Sequence, residues 1–222
     1  MSKADDTRGR ILHQAIRLGS LVGLEGLTLG RLAEELRLSK SGLYAHFASK
    51  ENLQVAVLEN YADEFRRNVI EPAIREPRGE PRVVALFDRW LRWVSTDGLP
   101  GGCLFVAAAT ELDDRPGPVR DTLVRMQQAW LGAIVRSLSI AQDEGHYDRT
   151  LDADQLAFEL NGLMLSFHHQ SRLLREPDAL ARVSQAFAAF RERARGHQGQ
   201  PLRYRELLRH AGVDAWGSES GV

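Results

Sequence analysis

Residues 38–53 carry the side chains whose types and spacing are best suited to chemistry. The stretch reads LSKSGLYAHFASKENL, with Lys40, Ser41 and Gly42 ahead of Tyr44. Lysine can donate to the acceptor atoms of guanine, and serine can bond to either type of base pair. Gly42 allows a close backbone approach, and Tyr44 offers a hydroxyl for a phosphate. These residue types predict a surface that contacts nucleic acid, although the spacing alone equally fits an ordinary solvated helix.

Three helix starts close to this stretch offer a way to hold phosphate groups. Thr28, Ser39 and Ser49 each stand where a side-chain oxygen can cap a helix N-terminus. The free N–H groups and the positive dipole end at such a site attract phosphate. Lys50 adds a full charge in a first turn, where a cation is unfavourable for the helix itself. The sequence therefore predicts these DNA-contacting residues: Thr28, Ser39, Lys40, Ser41, Gly42, Tyr44, His46 and Lys50.

Two short helices joined by a tight turn must position these side chains. The inward positions are Leu29, Leu32, Ala33 and Leu36 on the first helix, and Leu43 and Phe47 on the second. We expect Leu38 and Leu53 to help hold the second helix to its neighbours. In such a helix-turn-helix the second helix lies in the major groove, with its N-terminal residues at the base edges.

The segment LTLGRLAEELRLSKSGLYAHFASKENL resembles the DNA-binding signature of the tetracycline-repressor (TetR) family of bacterial regulators. The residues that carry the resemblance are Thr28, Leu32, Ala33, Leu38, Ser39, Lys40, Leu43, Tyr44, His46, Phe47, Ser49, Lys50, Glu51 and Leu53. The resemblance covers residues 8–55 specifically. A later stretch, GGCLF followed by ELDDRPGPVRD, resembles one subgroup of such regulators. The family implies a DNA-binding head, a homodimer, and a helical body that binds a small-molecule effector.

Arg37 departs from the family pattern, because the family usually has glycine at this turn position. A left-handed conformation at a non-glycine residue costs on the order of 1 kcal/mol. The Arg37 side chain could add a phosphate contact or could point to solvent, and we favour the second interpretation.

The composition of the 222-residue chain limits the classes of protein to which it can belong. No apolar run approaches the ~20 residues of a membrane span, and the charged N-terminus has no signal-peptide core. Residues 1–50 hold eight Lys and Arg against five Asp and Glu, a net of +3 within a chain of net charge −1. We therefore expect a cytoplasmic protein with a basic head on a more acidic body.

The apolar spacing is helical throughout, and no segment shows the alternation of a strand. The sequence predicts an all-α fold of about nine helices, the last a short one near residues 202–210. It predicts a three-helix DNA-binding head at residues 1–53, followed by a helical-bundle body for ligand binding and dimerisation at residues 54–222.

Two consecutive helices, starting near Asp152 and after Pro177, are rich in apolar residues. One interpretation is a core within the chain. The other, which the resemblance also implies, is pairing with a second copy in a four-helix interface. The residues predicted for that interface are Leu156, Leu163, Phe167, Leu174, Val183, Phe187 and Phe190.

The middle of the chain concentrates large, soft side chains, most of which are expected to form core. The resemblance implies that some of them line an apolar pocket with a few polar groups, as small-molecule sites do. The predicted ligand-binding residues are Trp90, Cys103, Phe105, Glu111, Trp130, Asn161, Phe167 and His168. Either polar residue among them, Glu111 or Asn161, could instead be satisfied by helix packing.

Catalysis finds little support in the sequence. There is no glycine-rich phosphate loop, no GxSxG turn and no Cys/His cluster at zinc spacing. His168 and His169 are adjacent, so on a helix their side chains diverge and make a poor metal pair. Cys103 follows two glycines at a helix start, where a lowered pKa could support redox sensing. We expect no cofactor, no metal and no enzymatic activity.

These features together predict a ligand-responsive transcription regulator. We expect a repressor that binds a palindromic operator in double-stranded DNA as a homodimer, released by an unidentified small molecule. No membrane partner is expected. Two alternatives remain open: a helical binding protein or enzyme whose head contacts protein, and a structural dimeric adaptor without an enclosed apolar pocket.

Overall fold

The computed structural model describes residues 3–95 and 99–196, with side chains from residue 7 onward. Within these residues every regular element is a helix and no strand forms, which confirms the all-α prediction. The short helix expected near residues 202–210 lies outside the described residues. No helix in the described part of the chain is long and apolar enough to cross a membrane.

The head consists of three helices and the start of a fourth. They are α1 (Lys3–Gly26), α2 (Leu29–Leu36), α3 (Lys40–Phe47) and α4 (Lys50–Phe65). The three predicted caps are present: Thr28 Oγ1 accepts from Arg31 N at 3.1 Å, and Ser39 Oγ and Ser49 Oγ accept at 3.1 and 3.0 Å. Gly23, with φ of 76°, interrupts α1 before its last residues.

A small apolar core fixes the angle between α2 and α3. Leu32, Leu43 and Leu53 are fully buried together, and Phe47 is almost so. Leu38 is 43% exposed, so the expectation that it helps hold α3 is wrong. The turn is instead closed by backbone bonds, because Leu38 N donates to the carbonyl of Ala33.

The body begins within α4, which runs on through a π-helical segment (Arg66–Ile70) into α5 (Glu71–Ile74). The remaining elements are α6 (Glu80–Ser95), α7 (Leu104–Leu112), α8 (Pro118–Asp143), α9 (Ala153–His169), a second π-helical segment (Gln170–Leu174) and α10 (Ala179–Ala194). Helix α4 therefore crosses the predicted domain boundary after residue 53 without a break. That boundary stays a prediction.

Helix α10 is held to the start of α6 by an ionic cluster. Glu80 accepts hydrogen bonds from Arg191 Nε at 2.6 Å and from Arg195 Nη2 at 2.6 and 2.8 Å. Burial raises the pKa of the Glu80 carboxyl, but the hydrogen bonds from Arg195 and Arg191 outweigh this effect and lower it overall. Next to the cluster, the rings of Phe87 and Phe187 stack at 3.8 Å between centroids.

Replacing Glu80 by glutamine is expected to lower the free energy of unfolding by about 1–3 kcal/mol at pH 7, because two arginines lose their charged partner. A lowered carboxyl pKa contributes stability above the unfolded value of about 4.3, and that stability is lost as pH falls through the folded value. The difference between wild type and variant should therefore shrink below about pH 4. Urea unfolding of wild type and variant, at pH 7 and at a pH below about 4, measures this difference.

Glu144→Gln is the matched control for this prediction. Glu144 pairs with Arg78 at 2.6 Å on the surface, where ion pairs contribute little to stability. A Glu80 variant as stable as the Glu144 variant would contradict a stabilising role for the cluster.

Candidate nucleic-acid interface and cavities

The outward face of α3 presents an accessible group of polar and aromatic side chains. Lys40, Ser41 and Tyr44 are all exposed, and Tyr44 is 53% exposed although it is a large aromatic residue. Leu43 and Phe47 on the same helix are buried against α2 and α4. The helix thus turns its apolar side inward and leaves its first two turns free to meet a groove.

The two ends of α3 have different supports. At its start, a Cβ on Gly42 would lie 3.1 Å from Ser39 Oγ, so alanine there would crowd the cap. At its end, the carbonyl of His46 accepts from Arg8 Nη1 at 2.9 Å, and the Arg8 guanidinium lies 4.7 Å from the centre of the Phe47 ring. Sequence reasoning missed Arg8, because it lies 38 residues away from His46 and matches no local pattern.

Lys50, predicted to contact phosphate, is engaged at the head's border with the body. Its Nζ donates to the carbonyl of Glu25 at 2.7 Å and lies 3.4 Å from the Glu25 carboxylate. Arg115 approaches the same carboxylate at 3.4 Å, and Glu111 accepts from the backbone N of Glu25 at 3.0 Å. The end of α1 is therefore tied both to the first turn of α4 and to the region of α7 and α8.

Two residues beside α3 adopt positive φ without being glycine. Arg37 is left-handed (φ 54°, ψ 39°), and its side chain is exposed. Ala48 has φ of 59° and ψ of −37°, outside the left-handed helical region altogether. Residues held in such conformations cost roughly 1–3 kcal/mol each.

Glycine at either position is expected to stabilise the protein, by about 0.5–1 kcal/mol for Arg37→Gly and by more for Ala48→Gly. Ala45→Gly in the exposed middle of α3 should instead cost about 1 kcal/mol. Urea unfolding of the three variants tests the expected order of their stabilities. Equal losses in all three would contradict the assignment of backbone strain. If the Arg37 side chain points to solvent, Arg37→Gly should leave DNA affinity unchanged.

A cavity of about 190 Å³ lies in the body between α4, α6, α7, α8 and α9; we call it the aromatic cavity. Four of its lining side chains are aromatic, namely Phe65, Trp90, Phe105 and Trp130. Phe65 meets Trp130 edge-on at 5.1 Å and Phe105 at 5.9 Å between ring centroids. An interior of this kind holds an apolar group in a defined orientation.

Five of the eight predicted ligand-binding residues line the aromatic cavity, namely Trp90, Cys103, Phe105, Trp130 and Asn161. His168 lines a second, adjoining cavity of about 610 Å³, which we call the histidine cavity. Glu111 and Phe167 line neither, which corrects their assignment. The Glu111 carboxylate is used by the backbone of Glu25, and Phe167 faces the groove against α10.

Cys103 does not have the character of a reactive thiol. It is buried, and Tyr61 Oη donates to its Sγ at 3.7 Å while accepting from Trp93 Nε1 at 2.9 Å. Burial raises the pKa of the Cys103 thiol and that of the Tyr61 hydroxyl. The two preceding glycines made a lowered pKa conceivable, but exclusion of water from the thiol outweighs the effect of the helix start.

The residues predicted for a dimer interface divide into two groups. Leu156, Phe167, Val183, Phe187 and Phe190 are buried within the chain, because α10 packs against α9 and Phe187 stacks on Phe87. Their assignment to an interface is corrected to the intrachain core. Leu163 is half-buried, and only Leu174 is exposed.

Leu174, in the π-helical segment after α9, faces outward together with other apolar side chains on α9 and α10. Phe158 is 74% exposed and Leu174 54%, and Leu180 is exposed to a similar degree. Small residues, Gly162 on α9 and Ala188 and Ala189 on α10, are also exposed. We call these six residues the outer apolar face.

The described part of the chain contains no cluster of three or more His, Cys, Asp or Glu side chains that could hold a metal.

A capped helix pair with an exposed polar second helix, set on a larger bundle that contains cavities, defines a helix-turn-helix DNA-binding regulator. Residues 11–57 match the family described as bacterial regulatory proteins, tetR family, and residues 79–187 match the tetracyclin repressor-like C-terminal domain. The chain belongs to the TetR family of transcription regulators, which are DNA-binding proteins and not enzymes.

Individual relatives agree with this placement. The transcriptional repressor NemR of Escherichia coli is 26% identical over 193 residues, which cover 82% of this chain and 94% of NemR. A TetR regulator from Chloroflexus aurantiacus superimposes with a TM-score of 0.77 at 25% identity, over 86% of this chain and 96% of that chain. AibR, solved in complex with isovaleryl coenzyme A and operator DNA, gives a TM-score of 0.63 at 25% identity, over 80% and 97%.

Proposed function

We propose that this protein is a ligand-responsive repressor that binds a palindromic operator as a homodimer and is released by a small molecule in its body. The observation that carries the proposal is the exposed face of α3, where Lys40, Ser41 and Tyr44 project from a helix held rigidly by its apolar side. Curated relatives such as NemR are repressors, which supports the direction of regulation.

The DNA contacts divide by position on the head. Lys40, Ser41 and Gly42 lie in the first turn of α3 and approach base edges. Tyr44, His46 and Lys50 contact phosphates, as do the capped N-termini at Thr28 and Ser39. On binding, Lys50 exchanges the Glu25 carboxylate for a phosphate oxygen.

The effector acts on the head through α4. Helix α4 begins at Lys50 beside the DNA-binding surface, and near its end Ala62, Asp63 and Phe65 line the aromatic cavity. A ligand that binds better to one position of this helix shifts the spacing of the two heads, since a ligand moves an equilibrium only by its difference in affinity. AibR, solved with isovaleryl coenzyme A and operator DNA together, is a relative that binds both a small molecule and DNA.

The outer apolar face is the proposed homodimer interface. Phe158, Leu174 and Leu180 supply contact area, and the small residues beside them allow two helix pairs to approach closely. A two-fold axis places the same surface of each copy in contact, and it presents two α3 helices to half-sites one helical turn or a multiple apart.

Selection from a pool of randomised DNA duplexes tests the proposal. We expect the full chain to enrich an inverted repeat, and light scattering to give about twice the 24.9 kDa mass of the single chain. A scrambled duplex of the same composition is the control. Failure to enrich any sequence above this control would reject the DNA-binding function and favour a helical binding protein whose head contacts protein.

A further inference from the structure

The aromatic cavity and the histidine cavity are neighbours with a common wall. Val106 of α7, Gln127 of α8, and Asn161 and Leu165 of α9 line both of them. Together the two volumes fall within the range of sites for drug-sized ligands, about 300–1,000 Å³. A single elongated molecule can therefore occupy both cavities with its middle beside the two amides.

The two cavities differ in chemistry. The aromatic cavity, with its four rings, is slightly larger than the ~150 Å³ that holds a benzene molecule in an engineered protein core. Its two charged residues, Asp63 and Arg66, lie 3.4 Å apart and compensate each other, and Arg66 also pairs with Glu71. This half of the site accepts an apolar or aromatic group and offers no net charge to a ligand.

The histidine cavity carries positive charge without a carboxylate to balance it. Its ionisable lining residues are His168, His169 and Arg172, and neither Asp nor Glu lines it. Arg172 is fixed in place because its Nε donates to the carbonyl of Gly101 at 3.1 Å and its Nη2 donates to that of Pro100. Backbone carbonyls leave the guanidinium charge uncompensated.

His168 supplies an unused polar atom at this place. Its Nε2 is buried and has no hydrogen-bond partner among the described residues. Burial, together with the charges of Arg172 and His169, lowers the pKa of His168, so the imidazole is neutral near pH 7. A ligand oxygen that reached this nitrogen would accept an N–H hydrogen bond that the described residues leave unsatisfied.

We infer that the joined cavities bind an amphipathic organic carboxylate, with its apolar or aromatic part among the four rings and its carboxylate beside His168 and Arg172. The inference rests on the proposed function, because it names the class of effector for the same site. The amides of Gln127 and Asn161 flank the link between the two ends. Neutral molecules of the same shape fill the aromatic cavity but leave the histidine cavity without an anion.

Isothermal titration with matched probes tests the inference on the full chain. The probes are 4-phenylbutyrate, its neutral amide 4-phenylbutanamide, and butyrate, which has the charge without the ring. We expect the carboxylate to bind at least about 10-fold more tightly than the amide, and butyrate to bind far more weakly than 4-phenylbutyrate. Equal affinity for acid and amide, or no binding of 4-phenylbutyrate at millimolar concentration, would overturn the inference.

Variants of Arg172 separate its charge from its contacts with the loop. Arg172→Met should abolish the preference for the carboxylate without weakening binding of the amide. Arg172→Lys keeps the positive charge and should retain the preference. Arg175→Met removes an equal charge three residues later, outside the cavity lining, and should change nothing. A preference unchanged in Arg172→Met would count against the assigned carboxylate position.

The same protein samples are also assayed for binding to the selected duplex. The effector class and the DNA-binding function can then be rejected independently of each other. Duplex binding without carboxylate preference would overturn the effector class and leave the regulator intact. Carboxylate preference without any duplex binding would support the site and reject the proposed function.

Discussion

Replacing Lys40 and Tyr44 together by alanine is expected to lower affinity for the selected duplex by at least about 1,000-fold. Each contact of this kind contributes about 1–3 kcal/mol, and the proposed dimer would present each residue twice. Both side chains are exposed, so the variant should unfold at the same urea concentration as wild type. Fluorescence anisotropy at one fixed salt concentration measures the loss, since affinity for DNA depends steeply on salt.

The two single variants should fail in different ways. Lys40→Ala is expected to relax base preference, so that the ratio of affinities for selected and scrambled duplex falls. Tyr44→Ala is expected to weaken binding to both duplexes by the same factor, because a phosphate contact carries no sequence information. The control is Arg136→Ala, which removes an exposed charge on α8 in the body. This variant should bind both duplexes as tightly as wild type. If the double variant binds the selected duplex with an affinity within about threefold of that control, the assignment of DNA contacts to α3 is refuted.

Replacing Gly101 by alanine is expected to lower the free energy of unfolding by about 3 kcal/mol, the upper end for overpacking a close contact. A Cβ at this position would lie 1.4 Å from the carbonyl oxygen of Ser20 and 1.9 Å from its carbonyl carbon. Both are backbone atoms of α1, so no side-chain rotation relieves the clash. The loop and the helix must separate.

The same contact joins three parts of the molecule. Gly101 N donates to Ser20 Oγ at 3.1 Å, and its carbonyl accepts from Arg172. Separation at this point should therefore loosen α1, which belongs to the DNA-binding head, from the segment that follows α9. We expect Gly101→Ala to weaken duplex binding as well as stability.

Gly132→Ala in α8 is the matched control for this prediction. Its Cβ would meet only the far end of Arg136, at 3.3 Å, and glycine in a helix interior is unfavourable. Its stability should be unchanged or higher by up to about 1 kcal/mol. Urea unfolding at equal protein concentration compares the variants, because the proposed dimerisation would make stability depend on concentration. If Gly101→Ala is as stable as Gly132→Ala, the close contact with Ser20 is refuted.

The sequence predicted the features of the head that depend on neighbouring residues. Thr28, Ser39 and Ser49 cap helices because each hydroxyl reaches a backbone N–H three residues later, and nothing distant is needed for that bond. Assigning Leu43 and Phe47 to the core likewise left Lys40, Ser41 and Tyr44 for the outward surface of α3, and all three are exposed. The head's surface could therefore be described before its tertiary structure was known.

The sequence was a poorer guide in the body, where helices carry apolar residues around much of their circumference. Periodicity identifies an apolar face but does not say which neighbour covers it. Phe187 and Phe190 were assigned to a dimer interface, yet they pack inside the chain, while Phe158 and Leu180 face outward. Only the packing of α10 against α9 and α6 separates the two faces.

Tertiary structure also decided the chemistry of single groups. A lowered thiol pKa was one possibility for Cys103, and burial raises the pKa instead. Glu111 was expected in a pocket, and it serves the backbone of Glu25, 86 residues away along the chain. The sequence by itself determined the helices, their caps and the recognition face, because those depend on contacts within a few residues. The cavities, the buried ionisable groups and the outer apolar face depend on which distant segments exclude water from each other, and only the folded chain decides that.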